Sequence, residues 1–252
     1  MHQPEQQRAP QDARNGGAGR RAPAGQVLLI DADDTLWENN IYFERAIASF
    51  IGYLNHRTYS PDEVRRHLNR HELATIREHG YGVKSFRRSL LSCMEELGEQ
   101  PVTEAMHRQV LGFTEAIVNG EMEIIAGVAE TLLHLKGRHT VWLATKGNPE
   151  EQHGKIERSK LAEHFHGVEV MAEKDEASYR ELAERHGWAP ERTWMIGNSP
   201  KSDINPALAA GLGAVYIPHP HTWVLERTAL AREPDGIRFV QLERFAALAE
   251  IF

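Results

Sequence analysis

Five short apolar runs, each stopped by polar or turn-forming residues, set the strongest limit on how this chain can fold. They are residues 26–30 (QVLLI), 140–144 (TVWLA), 168–171 (VEVM), 193–196 (TWMI) and 214–217 (AVYI). Continuous apolar runs of this length, bounded by turn residues, read as strands buried on both faces. Helical patterns fill the gaps between the last four. One covers 149–159, a second covers 176–186 with Tyr179, Leu182 and Ala183 on one face, and a third covers 202–210, closed by Gly211. Strands alternating with helices predict an α/β fold with a mainly parallel sheet and helices on both sides.

The stretch 38–123 breaks the alternation. It holds no convincing strand, and its apolar residues recur at helical spacing. The series are Phe43, Ile47, Phe50, Ile51 and Leu54, then Val64 and Leu68, then Phe86, Leu90, Leu91 and Met94, then Met106, Val110, Leu111, Phe113 and Ile117. Ser60-Pro61 forms an N-cap and first-turn pair, and Gly80, Gly98 and Gly120 fall between helices. The pattern predicts a four-helix module inserted after the first strand, dividing a core made of 26–37 and 124–252.

Residues 1–25 hold no aromatic or β-branched residue. Such a segment cannot bury enough apolar surface to offset its ordering entropy, so a disordered tail is expected. It lacks the apolar h-region of a signal peptide. Its arginines, Arg8, Arg14, Arg20 and Arg21, read as solvated charges. The net charge of −7 argues against a general nucleic-acid binder, which needs a basic footprint. Cys93, the single cysteine, cannot form an internal disulfide, which points to a reducing, cytoplasmic location. No apolar run reaches the length of a membrane span.

In parallel sheets, ligands bind outside the carboxyl ends of the strands. After the first run come Asp31, Asp33, Asp34 and Thr35; after the second, Thr145, Lys146 and Asn148; after the third, Glu173, Lys174 and Asp175; after the fourth, Asn198, Ser199, Lys201, Ser202 and Asp203. Carboxylates, a hydroxyl and a lysine therefore converge on one edge. Clustered carboxylates repel one another unless a cation joins them, and oxygen-only ligands favour Mg2+. Asp is also common in turns, so Asp34 and Thr35 read as shaping the turn rather than touching substrate. Thr145 taken alone would read as a helix-entry residue, and most lysines are solvated.

The string LLIDADDTL resembles the first motif of the haloacid dehalogenase superfamily of phosphotransferases. The other motifs follow in order: Thr145 closing VWLAT, Lys174 in AEKDE, and GNSPKSD before a helix. The resemblance covers residues 25–252 and implies a Rossmann-like core with an inserted helical cap of the C1 type. It implies Asp31 as the nucleophile that takes the phosphoryl group. Asp33 would be the acid for the leaving oxygen and then the base for water, with its backbone carbonyl facing the metal. Thr145 would bind a phosphoryl oxygen, and Lys174 would supply charge to it. Asp31, Asp33, Asn198 and Asp203 would form the Mg2+ shell. Many relatives carry Gly-Asp where this chain has Gly197-Asn198, and an amide oxygen binds Mg2+ without a full charge. That departure leaves open a weak or non-catalytic protein. Relatives that dehalogenate generally lack an acid at the position of Asp33.

The insert would sit over the site and exclude water. Within it, His79–Arg88 (HGYGVKSFRR) brackets Tyr81 with Gly80 and Gly82 and adds Lys84, Arg87 and Arg88. This reads as a loop reaching an anionic substrate or as a turn before a basic helix face. Lys146 adjoins Thr145 and reads as peripheral. His219 and His221, in IPHPHTW, have no Cys or acidic neighbour in the sequence. Two ligands rarely suffice for a metal site, so they read as structural. The functional expectation is an Mg2+-dependent phosphatase for a small phosphorylated substrate, acting on neither nucleic acid polymer nor membrane. The alternatives are a phosphomutase and a ligand-binding or regulatory protein on the same scaffold.

Overall fold

The first strand, β1 (Val27–Ile30), is buried from Leu28 to Ile30. Leu28 and Ile30 belong to one apolar cluster and Leu29 to another. Successive strand residues point to opposite faces, so β1 lies in the middle layer with both faces covered. The structure, a computed structural model, describes residues 21–98, 100–231 and 238–252. Five helices follow β1: α1 (Asn40–Leu54), α2 (Pro61–His79), α3 (Val83–Leu97), α4 (Glu104–Phe113) and α5 (Glu115–Asn119). Then come α6 (Val128–Lys136), β2 (Thr140–Lys146), α7 (Pro149–Ser159), β3 (Gly167–Met171), α8 (Glu176–His186) and β4 (Thr193–Gly197). The chain closes with a π-helical turn (Pro200–Ile204), α9 (Asn205–Ala209), β5 (Gly213–Tyr216), β6 (Phe239–Gln241) and α10 (Leu248–Ile251).

The sheet order is β3-β2-β1-β4-β5-β6, and every pairing is parallel. The order reverses at β1, which places a crevice at the carboxyl ends of β1 and its neighbours. On one face, Val128, Leu132 and Leu135 of α6, Ile156 of α7 and Leu248 pack on Leu28, Ile30, Val141 and Leu143. On the other, Tyr179, Leu182 and Ala207 pack on Leu29, Ala144 and Met195. This is the α/β core expected from the apolar runs. The short strand β6 was not anticipated, because three residues carry no period-2 signal.

The insert packs around its own apolar cluster, built from Ala46, Ile47 and Phe50 of α1, Val64 and Leu68 of α2, Phe86, Leu90, Cys93 and Met94 of α3, and Val110 of α4. Where four helices were expected, five occur among the described residues. Thr114 divides the last pair, its hydroxyl donating to the Leu111 carbonyl at 2.8 Å and accepting from Arg87 Nε at 2.6 Å. Leu111 is 41% exposed, so it stands off the helical stripe to which its spacing assigned it. Ser60 caps α2 in a reciprocal box with Glu63, with Pro61 in the first turn. The chain leaves and re-enters the core side by side: Glu38 N–H donates to the Glu123 carbonyl at 2.9 Å, and Ile125 N–H to that of Leu36 at 3.0 Å. Of the expected tail, residues 1–20 lie outside the described residues. Ala22 N–H donates to the Ile251 carbonyl at 2.7 Å and Gly25 N–H to that of Arg138 at 2.9 Å. No helix among the described residues is long and apolar enough to cross a membrane.

Candidate active site

Asp31, Asp33, Thr145, Lys174, Asn198 and Asp203 all line one cavity of about 170 Å³ between the sheet and the inserted helices. Each reaches it from the end of a strand or the loop beyond. Asp31 extends β1 through a backbone bond from its N–H to the Ile196 carbonyl at 2.9 Å. Thr145 sits in the last turns of β2, in register with Val170 of β3. Lys174 follows β3, and its ammonium lies 2.5 Å from Asp31 Oδ1 and 2.8 Å from Asp203 Oδ1.

Asp203 is 1% exposed and is brought back to the strand end by the π-helical turn. Its second oxygen, Oδ2, accepts the Ser199 N–H at 2.9 Å. Gly197 makes this approach possible. A Cβ there would lie 2.2 Å from Asp203 Oδ2, well inside contact distance. Gly197→Ala should therefore push Asp203 off Lys174 and cost about 1–3 kcal/mol of stability. A denaturant midpoint unchanged from wild type would contradict that placement.

Three buried charges, Asp31, Asp203 and Lys174, leave one negative charge uncompensated. Asp31 bears the consequence. Burial and the neighbouring Asp203 carboxylate push its pKa up to about 7 despite the Lys174 ammonium. The donor set is all oxygen and short of one positive charge, which fits a hard divalent cation such as Mg2+. Of the two residues that could complete the shell, Asp203 accepts one hydrogen bond at each oxygen, as Asp31 does, and keeps a lone pair on each. Asn198 is the other. The Thr222 hydroxyl donates to the His219 carbonyl at 2.9 Å and so accepts from Asn198 Nδ2 at 3.0 Å. That turns Asn198 Oδ1 inward. The Thr35 hydroxyl lies 3.1 Å from Asp31 Oδ2 and 3.4 Å from Asn198 Oδ1. Its one proton goes to the nearer, charged acceptor, so the amide oxygen keeps acceptor capacity. Thr35 thus orients Asp31 in addition to shaping the turn.

Asp33 belongs to a separate network. Lys155 Nζ lies 2.9 and 2.8 Å from its two oxygens. Trp37 Nε1 donates to Oδ1 at 2.7 Å and Gln152 Nε2 to Oδ2 at 3.1 Å. Burial alone would raise this carboxyl, but the Lys155 ammonium together with the Trp37 and Gln152 donors outweighs it and holds Asp33 below the usual carboxylate range. Lys155 was invisible to sequence reasoning, since it reads as one more lysine on a polar helix. Asn148 caps α7 by accepting the Glu151 N–H at 3.1 Å, which fixes the start of the helix that carries Lys155.

Asp34 turns the chain with φ of 60° and accepts the backbone N–H groups of Asn39 and Asn40 at 2.9 and 3.0 Å. It anchors the start of α1, as a turn-shaping residue should. Lys146 lines the cavity but is spent on neighbours: Glu226 and Ser202 at 2.8 Å, and Tyr81 and Glu173 at 3.2 Å. Tyr81 thereby docks the insert on the core, donating to Glu173 Oε2 at 2.7 Å. Glu151 adds a second anchor, accepting the Val83 N–H at 2.9 Å at the start of α3. Of the other cations in that segment, Lys84 and Arg88 are exposed and Arg87 is bound to Thr114. His219, without acidic neighbours in the sequence, has them in space. Its Nε2 lies 3.3 Å from Glu38 and its Nδ1 lies 3.9 Å from Asp34.

A family model described as haloacid dehalogenase-like hydrolase matches residues 26–211. No curated protein sequence matches the chain. Among solved structures, a haloacid dehalogenase-like family hydrolase from Xanthomonas campestris is similar at 29% identity, over 90% of this chain and 94% of that one, with a TM-score of 0.75. A 2-haloacid dehalogenase from Pseudomonas syringae shares 20% identity over 90% and 97% of the two chains, with a TM-score of 0.58. A HAD-hydrolase from Bacillus subtilis bound to magnesium shares 17% identity over 90% and 98%, with a TM-score of 0.60.

Proposed function

This chain belongs to the haloacid dehalogenase-like hydrolases, whose model spans residues 26–211, and on that premise we propose that it hydrolyses a small phosphate monoester with Mg2+ through a phosphorylated Asp31. The observation that carries the reading is the pair of carboxylates at Asp31 and Asp33, held in two separate networks on one cavity. A dehalogenase has no leaving oxygen to protonate and no use for the second carboxyl. A phosphatase needs it twice.

The chemistry follows from the contacts. Asp31 attacks phosphorus, and the bond from phosphorus to the leaving oxygen breaks. Lys174, 2.5 Å from Asp31, counters the repulsion between carboxylate and phosphate. Thr145 donates to a phosphoryl oxygen. Asp33 gives a proton to the leaving oxygen, then removes one from the water that cleaves the acyl phosphate and restores Asp31. Asp31, the Asp33 carbonyl and Asn198 Oδ1 would hold Mg2+, with Asp203 supporting through Lys174. When bound, the ion neutralises charge on the nucleophile and phosphoryl group. Tyr81 and Glu151 fix the insert over the cavity, so the helical module 38–123 acts as the cap that excludes water.

Lys155 keeps Asp33 ionised in the resting protein, which readies it as the base of the second half. To act first as an acid, Asp33 must release Lys155 and take up a proton from solvent as substrate binds, and it then gives that proton to the leaving oxygen. Lys155→Met should therefore raise the Asp33 pKa, moving the alkaline limb of the kcat/KM profile up by about one unit or more. A profile superimposable on wild type would remove Asp33 as the group reported.

Phosphate release from an aryl phosphate, with Mg2+ and then with a chelator, tests the reading as a whole. Release that needs the metal supports it, and no release from folded protein sinks it. A mutase uses the same Asp33 but requires a bisphosphate activator for turnover. The binding-protein alternative rests on Asn198, and turnover of any ester removes it.

A further inference from the structure

The cavity extends past the reacting groups into the insert, where Phe43 of α1, Ile76 of α2 and Phe86 of α3 make it apolar. One carboxyl interrupts that lining. Glu72 of α2 is 5% exposed, lines the cavity, and its Oε2 is buried with no hydrogen-bond partner among the described residues. Arg65 acts on it only through space. Its guanidinium gives Nη1 and Nη2 to Glu44 at 2.6 and 2.8 Å and Nε to Asn69 at 2.9 Å. Ser89 does not serve it either, since its hydroxyl donates to the Ser85 carbonyl at 3.0 Å. Buried polar groups are nearly always paired, and one that is not calls for a partner the protein lacks. The cost of its isolation also shows in its acidity: burial pushes the carboxyl up to about 7.

Resting on the phosphatase reading, we propose that Glu72 is a specificity-determining residue whose carboxyl binds a hydrogen-bond donor on the alcohol portion of the substrate. The donor is a hydroxyl or an ammonium group. The substrate is then a small phosphate monoester with its phosphate between Asp31 and Lys174 and a single donor at the far end, set among apolar walls. The cavity of about 170 Å³ is smaller than the roughly 300–1,000 Å³ of sites for drug-sized ligands, which points away from nucleotides. A site built to hydrogen-bond one group rejects analogues lacking it far more strongly than an apolar pocket rejects an added methylene.

The test compares kcat/KM for wild type, Glu72→Gln and Glu72→Leu on three esters of matched size: an amino-alcohol phosphate, a diol monophosphate and an n-alkyl phosphate. Wild type should prefer at least one donor-bearing ester over the alkyl ester by about tenfold or more. Glu72→Leu should collapse that ratio, chiefly through KM. Glu72→Gln separates the donors: it keeps preference for the diol ester where the partner is a hydroxyl and loses preference for the amine where it is an ammonium. An alkyl ester preferred by wild type, or a ratio unmoved in Glu72→Leu, overturns the assignment. Calorimetric titration of the same esters into wild type and Glu72→Leu separates this proposal from the reaction on which it rests. With no turnover of any ester, donor-selective binding lost in Glu72→Leu retains Glu72 and discards the phosphatase. Equal binding of alkyl and donor-bearing esters discards Glu72.

Discussion

Asp31→Asn should abolish phosphate release, by at least about 10⁴-fold, and should at the same time make the metal-free protein more stable. The loss follows from replacing the attacking oxygen with an amide. The gain follows from the environment of that oxygen. In the folded chain Asp31 titrates at about 7 rather than its ordinary 3.8, because it is buried beside Asp203. Below about pH 4 the carboxyl is protonated in both states and costs nothing extra. As pH rises toward 7, the unfolded chain releases this proton readily and the folded one does not. Folding is therefore progressively penalised across that window, and the penalty is complete above it. Asparagine carries no such charge. The variant's advantage should grow from pH 4 to 8 and reach on the order of 2–4 kcal/mol, read as a shift in denaturant midpoint. Mg2+ should stabilise wild type by binding the native state and the variant much less. A variant that is inactive but no more stable at pH 8 than at pH 4 would mean that the charge imbalance is relieved in some other way.

Lys174→Met should do the reverse to stability and the same to activity. The ammonium is shared between Asp31 at 2.5 Å and Asp203 at 2.8 Å, and both carboxylates are buried. Methionine matches the stem but leaves two facing carboxylates with no cation. Removing one partner of a buried ionic group costs about 3–5 kcal/mol, because the remaining charge is stranded. Turnover should fall by roughly 10²–10³-fold, the range for losing a donor to developing negative charge. Lowering the pH should recover stability in this variant, since protonating either carboxyl removes the repulsion. Circular dichroism melts at two pH values check it. A variant as stable as wild type at pH 8 would show that Lys174 is not the counterion of the pair.

The two expected results have one physical cause. The proposed chemistry requires two carboxylates and one ammonium in a place where water cannot screen them. The fold tolerates that arrangement as a local loss of stability, offset by apolar packing on both faces of the sheet. Glu72 extends the same logic into the insert, where an isolated carboxyl is tolerated in an otherwise apolar pocket.

The core was legible in the sequence because its signal is local. Buried parallel strands need continuous apolar runs, and Leu28, Val141, Met195 and Val215 lie within such runs and are buried. The start of α2 was legible from Ser60-Pro61, and the patterns at 149–159 and 176–186 coincide with α7 and α8, where the structure adds Asn148 and Asp175 as caps. Strand-end position alone brought Asp31, Thr145, Lys174, Asn198 and Asp203 toward one edge. What no pattern could supply was the pairing of groups far apart in the chain. Lys155 meets Asp33 across 122 positions, Glu226 meets Lys146 across 80, and Glu38 meets His219 across 181, with Asp34 beside it. Each is an ordinary polar residue in its own neighbourhood. Sequence periodicity reports which side of an element is buried, whereas a charge takes its meaning from the charge it faces. The alternation of strands with helices and the edge that carries the chemistry were therefore set by the chain's own pattern, whereas the strand order β3-β2-β1-β4-β5-β6 came only from the folded sheet. Which carboxylate is ionised, which amide oxygen keeps acceptor capacity and which glutamate lacks a hydrogen-bond partner among the described residues were decided only when the folded sheet and the inserted helices closed around them.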